Sequence, residues 1–316
     1  MSLLPLACLL CLAVASGSKL AKFEPPRGKT VLVVGQDIEN IANYLAADGP
    51  MPGGFAAYTS LREVNGLDER SDVGGGVMFA RALIDAHPNT VLQLGLYITG
   101  YENEILSGAA DSQIDRLARW IASTHRPVYL RIGYEFDFPG NNFEPEKYVK
   151  AYRRIVDHIR AAGVSNVAFV WHSYAREAKH PAIDWYPGDG YVDWFAVSYF
   201  EQGPEYLDSF AVLAHEHHKP LMIAESAPWF DSIRPGSGTW GKWFKKVFAY
   251  IARNDVKMFC YIDNDWATIP IFKDMKWGDS RLQSDAEAMR LWTEEVAKER
   301  YLRSNPQLYR TLGYGR

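Results

Sequence analysis

The chain has 316 residues, and 34 Lys and Arg stand against 38 Asp and Glu for a formal charge of −4. Hydrophobic residues make up 47% and charged residues 23%, which excludes a disordered, collagen-like or coiled-coil chain. No single-sign field is available to hold nucleic acid or an anionic membrane surface. The aromatic fraction of 14%, with 10 Trp and 18 Tyr, would serve a core and a sugar-binding cleft alike.

Leu3 to Val14 form an apolar run, and small residues follow at Ala15, Ser16 and Gly17. The run is too short to span a bilayer and has the form of a secretory signal peptide, though its first residues carry no Lys or Arg. The expected organisation is a leader over 1–17 and a single catalytic domain over 18–316, secreted to the outside of the cell. Cys8 and Cys11 would leave with the leader. Cys260 then remains alone, and its setting, Met-Phe-Cys-Tyr-Ile, reads as an inert thiol in a buried strand. No Asn-x-Ser/Thr sequon occurs.

In chain order the β-rich runs are Thr30–Gly35, Phe55–Leu61, Val91–Tyr97, Val128–Tyr134, Val167–His172, Trp194–Tyr199, Leu221–Ala224 and Met258–Ile262. Amphipathic stretches alternate with them: Ile38–Ala46, Val77–His87, Ser112–Thr124, Pro145–Ala162, Pro204–His217, Thr239–Asn254 and Leu282–Lys298. Nearly continuous apolar runs such as Val-Leu-Val-Val suit parallel strands buried on both faces. Eight such strands alternating with helices, without a composition break, predict an α/β protein, a single-domain (β/α)8 TIM barrel. A doubly wound sheet would want a Gly-rich phosphate turn after the first strand, and Val34-Gly35-Gln36-Asp37-Ile38 has none.

A barrel carries its chemistry at the C-terminal ends of its strands. There the sequence places Asp37, Tyr97, Glu135, Asp137, Trp171, His172, Tyr199, Glu225, Asp263, Asp265 and Trp266. Glu135 and Glu225 each end an apolar strand, where a carboxylate is costly to bury unless paired or used. Alternation puts Arg131, Gly133 and Glu135 on one face of the fourth strand. It puts Leu221, Ile223 and Glu225 on one face of the seventh. If both faces point inward, the two glutamates meet across the mouth, and carboxylates about 5–5.5 Å apart serve double-displacement glycoside hydrolysis. Arg131 would hold one of them ionised. The alternative at this point is a structural ion-pair network.

The eight-strand order with glutamates ending strands four and seven resembles the clan A glycoside hydrolases. The segment Arg-Pro-Val-Tyr-Leu-Arg-Ile-Gly-Tyr-Glu ending at Glu135 resembles strand four of glycoside hydrolase family 26, which includes endo-β-mannanases, β-1,3-xylanases and mixed-linkage β-glucanases. The likeness continues through Asn166–His172, Tyr191–Tyr199 and Pro220–Pro228. It implies a retaining, endo-acting hydrolase of a β-linked polysaccharide, with Glu135 as acid/base and Glu225 as nucleophile. It also implies Tyr199 hydrogen-bonded to the nucleophile and Trp266 flooring the sugar ring. Tyr134 stands where family mannanases usually carry His and much of the clan carries Asn.

Further substrate contacts are expected from Arg131, Tyr134, Trp171, Trp229 and Asp263. For His172 a subsite contact and a structural hydrogen-bonding role both stay open. The His215–His218 run lacks the H-E-x-x-H spacing of a zinc site, and Asp263-Asn264-Asp265 lacks the Gly and terminal Glu of a calcium loop. No metal or cofactor is expected, and a polysaccharide or oligosaccharide substrate is the expected partner of a monomer with no nucleic-acid or membrane partner. Two other classes stay open: a non-catalytic carbohydrate-binding barrel and a polysaccharide lyase.

Overall fold

A computed structural model describes residues 20–315 except Glu201 and Phe230, so the expected leader lies outside the described residues. Eight parallel strands form the barrel: β1 (Thr30–Gly35), β2 (Gly54–Ser60), β3 (Val91–Tyr97), β4 (Val128–Ile132), β5 (Val167–Ser173), β6 (Trp194–Tyr199), β7 (Leu221–Ser226) and β8 (Met258–Ile262). Each pairs with the next, and β8 pairs with β1 from Val31–Met258 to Gly35–Ile262, which closes the ring. The TIM barrel expected from the sequence is the fold observed.

The strands are buried on both faces, which explains their unbroken apolar runs. Val33, Ala56, Val170, Ala196, Met222 and Cys260 fill the barrel interior with their neighbours. Leu32, Leu94, Leu130, Phe169, Phe195 and Ile223 pack outward against the helices. Burial pushes the Cys260 thiol up to about 12, in keeping with an inert core residue.

The outer layer contains α1 (Ile38–Ala46), α2 (Ala80–Ala86), α3 (Glu102–Ser107), α4 (Asp111–Ser123), α5 (Pro145–Ala161), α6 (Pro204–Glu216), α7 (Lys245–Arg253) and α8 (Ala286–Val296). Local chemistry sets several ends. The Asp37 carboxylate accepts from the Glu39 and Asn40 amides and caps α1. Pro145 and Pro204 occupy first turns, where their missing N–H costs nothing. Gly163, at φ +72°, turns the chain out of α5.

Two expectations change. The helix expected over Val77–His87 is shorter, because Val77–Met78 pairs with Ser71–Asp72 in a small hairpin. The helix expected over Thr239–Asn254 opens with a wide π turn, Trp240–Phe244, before α7 begins. Both Trp243 and Phe244 are buried by that turn.

The C-terminal tail seals the base of the barrel. Tyr301–Leu302 pairs parallel with the start of β1. Leu308 and Leu312 pack with Phe23, Tyr129 and Trp194. The Trp194 indole donates to the Lys22 carbonyl at 2.7 Å, and the Tyr129 hydroxyl donates to the Phe23 carbonyl at 2.8 Å.

Candidate active site

Arg131, His172, Ser198 and the two glutamates gather at the end of the barrel opposite the sealed base. On β4 the inward positions are Tyr129 and Arg131, and Gly133 and Glu135 follow as the strand unwinds. Gly133 sits at φ +55° and Glu135 at φ +51°, a left-handed pair that turns the chain sharply. A side chain at Gly133 would meet Tyr148 and Ile98 within 2.8–2.9 Å. Asn141 holds the turn by donating to the carbonyls of Tyr134 and Glu135 at 3.1 and 2.8 Å. Asp137 ties the turn to β5 by accepting from the Ser173 hydroxyl and the Tyr174 amide at 2.5 and 2.6 Å. Burial pushes the Asp137 carboxyl up to about 6.

Glu225 reaches the same place by a different device. Strand β7 pairs with β6 as Phe195–Leu221, Ala196–Met222 and Val197–Ile223, then as Ser198–Glu225 and Tyr199–Ser226. Ala224 is the extra residue of a β-bulge. Leu221 and Ile223, which precede the bulge, face the helices, against the expectation that they share a face with Glu225. The bulge flips the register, so that Glu225 turns inward beside Ser198.

Arg131 lies between the two strands, wholly buried. Its Nη1 donates to Glu225 Oε1 at 2.5 Å, a charge-assisted pair. The same nitrogen lies 3.1 Å from His172 Nδ1. His172 Nε2 lies 3.1 Å from Ser198 Oγ, and the Ser198 hydroxyl donates to Glu135 Oε1 at 2.5 Å. One hydrogen-bonded chain, Glu225–Arg131–His172–Ser198–Glu135, thus joins the two carboxylates across four strands.

The environments of its members differ. Burial, then the charge of Glu225, raises the Glu135 carboxyl well above the usual range, while Ser198 and Arg131 pull the other way. Burial and the neighbouring Arg131 charge push His172 well below its ordinary value, so its imidazole is neutral.

Aromatic rings wall the arginine. The guanidinium carbon sits 4.9 Å from the Tyr58 ring centre and 5.2 Å from that of Tyr134. Tyr134 packs edge-on to Tyr58 at 5.4 Å and tilted to Tyr97 at 6.4 Å. Tyr97 is 41% exposed and presents an open aromatic surface. On the other side Trp229, Trp266, Trp277 and Phe272 cluster with Tyr174 and Phe200.

The expected contacts divide accordingly. Arg131, Tyr134 and His172 come together with both glutamates. Trp171, Tyr199 and Asp263 do not, because each faces the helical layer. The Trp171 ring stacks on Phe136 at 4.6 Å. Tyr199 packs on Trp243 and Tyr250, and Ser198, one residue earlier, takes the inward position expected of it. Asp263 is wholly buried and accepts from the Leu282 amide at 2.7 Å.

Trp266 is 2% exposed. Trp277 and Phe272 lie against its ring at 4.7 and 5.0 Å, and its indole donates to Ser280, so a sugar floor is not open there. Trp229 lies in the same cluster, 4.9 Å from Trp277. His217, from the His215–His218 run, pairs with Asp189 at 2.8 Å. Among the described residues no group of three or more His, Cys, Asp or Glu is placed to hold a metal. Ser198 and Tyr58 are the residues that the sequence reading missed. Alternation along Trp194, Ala196 and Ser198 carried the signal for the serine.

A closed parallel barrel with two linked carboxylates at its open end is the framework of the barrel glycoside hydrolases, and the comparisons with known proteins place this chain among them. Residues 103–233 match the model of Glycosyl hydrolase family 26. A β-1,3-xylanase, TXYA, from a Vibrio species is 31% identical over 93% of this chain and 70% of its own length. A β-1,3-xylanase from an Alcaligenes species is 28% identical over 99% of this chain and 72% of its own. The chain belongs to glycosyl hydrolase family 26. Its fold matches that of a family 26 β-mannanase from Bacteroides ovatus with a TM-score of 0.65, at 14% identity, over 90% of this chain and 93% of that one.

Proposed function

We propose that this glycoside hydrolase is a retaining, endo-acting enzyme that cleaves a β-linked polysaccharide, with β-1,3-xylan as its substrate. The xylan assignment is supported by the two β-1,3-xylanases that align over nearly the whole chain. The mechanism is supported by one observation above all: two carboxylates lie on one hydrogen-bonded chain, one paired directly with Arg131 and the other raised in proton affinity by burial and the charge of the first. Glu225, against Arg131, is the nucleophile that attacks the anomeric carbon. Glu135, with its raised proton affinity, gives its proton to the departing glycosidic oxygen. The resulting glycosyl ester on Glu225 is opened by water, whose proton Glu135 takes back, with net retention. The Tyr97 and Tyr134 rings are placed to line the sugar path.

Release of new reducing ends from β-1,3-xylan, β-mannan, mixed-linkage and β-1,3-glucan and an acidic algal polymer tests this reading, with Glu225→Gln as the blank. Release from β-1,3-xylan that is lost in the variant is the expected result. An absorbance rise from unsaturated ends would instead assign a lyase. We also propose that residues 1–17 direct export and are removed. N-terminal sequencing of secreted material checks this, with a new terminus near residue 18 expected.

A further inference from the structure

The chain of hydrogen bonds between the two carboxylates has a direction, and its direction starts at Arg131. A guanidinium has donors only. Its Nη1, 3.1 Å from His172 Nδ1, therefore makes Nδ1 the acceptor. A neutral imidazole that accepts at Nδ1 carries its hydrogen on Nε2. That hydrogen points along the 3.1 Å contact to Ser198 Oγ. The serine's own hydrogen is then directed to Glu135 Oε1 at 2.5 Å.

We infer that His172 and Ser198 are positioning residues that hold Glu135 Oε1 as a permanent acceptor, so that Oε2 is the oxygen that carries the transferred proton. The inference rests on the assignment of Glu135 as acid/base. It explains why a wholly buried histidine and serine stand beneath the glutamate. It also holds through both half-reactions. When Glu225 becomes a neutral ester, Arg131 still donates to His172, and the polarity of the chain does not reverse. Oε2 gives its proton to the leaving oxygen in the first step and takes one from water in the second, while Oε1 stays bonded to Ser198.

Several groups face Glu135. Glu225 comes from β7, Arg131 from β4 and Ser198 from β6 with His172 of β5 behind it. Tyr134 and Asp137 flank it in the chain. Glu225 and Asp137 favour the protonated carboxyl, whereas Arg131 and the Ser198 hydrogen bond favour the ionised one. Removing the serine hydroxyl therefore strengthens proton binding at Glu135. The acid form would persist to higher pH.

The test is the pH dependence of kcat/KM on the polymer that the substrate panel selects. In Ser198→Ala the basic limb is expected to move up by about one pH unit, and in Ser198→Thr it returns to the wild-type position. A purely structural serine would lower rate or stability and leave the limb in place. In the wild type, 15N NMR of labelled histidine is expected to show His172 neutral with its hydrogen on Nε2 from pH 5 to 8. An unmoved basic limb in folded Ser198→Ala, or a hydrogen on Nδ1, overturns the inference and leaves the role of Glu135 standing. That role is read separately: azide attack on the glycosyl-enzyme of Glu135→Ala, displacing the Glu225 carboxylate, yields a glycosyl azide of retained configuration. A Glu135→Ala enzyme with undiminished rate, or with no azide product from an aryl glycoside, overturns the acid/base assignment and the inference with it.

Discussion

Glu135 and Glu225 carry the same functional group, and their neighbours separate them. Arg131 stands 2.5 Å from one. Burial, and then the charge of Glu225, weights the other toward its protonated form. A proton donor matters in proportion to how badly the leaving group needs one. Glu135→Gln is therefore expected to slow polymer hydrolysis by about 10²–10⁴-fold. Formation of the glycosyl-enzyme from a nitrophenyl glycoside should lose far less, because nitrophenolate departs without a proton. Glu225→Gln removes the proposed nucleophile and is expected to abolish both. Initial rates on the two substrates, with the burst of nitrophenol read in Glu135→Gln, check the distinction. Equal losses on both would give Glu135 some other role. Tyr134 acts beside this pair: its ring and that of Tyr58 cover the guanidinium and shield the Arg131–Glu225 pair from solvent that would weaken it.

Strand β3 makes room for that arrangement by carrying no side chain at Gly95. A Cβ there would lie 2.6 Å from the Tyr58 ring and 3.0 Å from Arg131 Nη2. Both neighbours are buried and cannot swing away. Gly95→Ala is expected to cost about 1–3 kcal/mol of stability through overpacking. It should also cost at least about tenfold in kcat/KM by displacing Arg131 from Glu225. Chemical denaturation and steady-state kinetics measure the two effects. A folded variant with wild-type kinetics would show that the arginine can shift without harm to the glutamate. The strands themselves were legible in the sequence, because burial on both faces leaves an unbroken apolar run. The short helix α3 was not, because six residues give too little periodicity to register. The bulge at Ala224 was invisible for a different reason. An extra residue opposite a regular strand changes which face the next residue takes without changing its identity. Glu225 thus points inward as expected, but through the bulge and not through a face shared with Leu221 and Ile223. Nearness to the rim does not tell which way Trp171, Tyr199 and Asp263 point, and each faces the helices instead of the mouth. The inward alternation of Ala196 and Ser198 was there to correct Tyr199.

At the scale of the whole molecule, closure of the barrel depends on how its last strand is fastened. Asp263 follows β8, and its Oδ1 accepts from the Leu282 amide, tying the strand to the segment that enters α8. Burial pushes this carboxyl up to about 7, against an ordinary value near 4 in an unfolded chain. Between those values the folded protein binds the proton more tightly than the unfolded one. The stability linked to Asp263 is therefore complete below about pH 4 and is lost as pH rises through about 7. Asp137, pushed up to about 6, acts in the same direction over a narrower window. His172 acts in the opposite one: held neutral by burial, it costs stability as pH falls below the ordinary imidazole value near 6.5. Asp263→Asn keeps the oxygen acceptor for Leu282 and removes the charge. Its unfolding temperature is expected to exceed that of the wild type by several degrees at pH 8, at about 2–4 °C per kcal/mol for a domain of this size. The two should converge near pH 4, where the wild-type carboxyl is already protonated. Calorimetric scans of both proteins from pH 4 to 8 measure the difference. A variant destabilised equally at every pH would mean that the geometry at Leu282, rather than the buried charge, limits how firmly the barrel is closed.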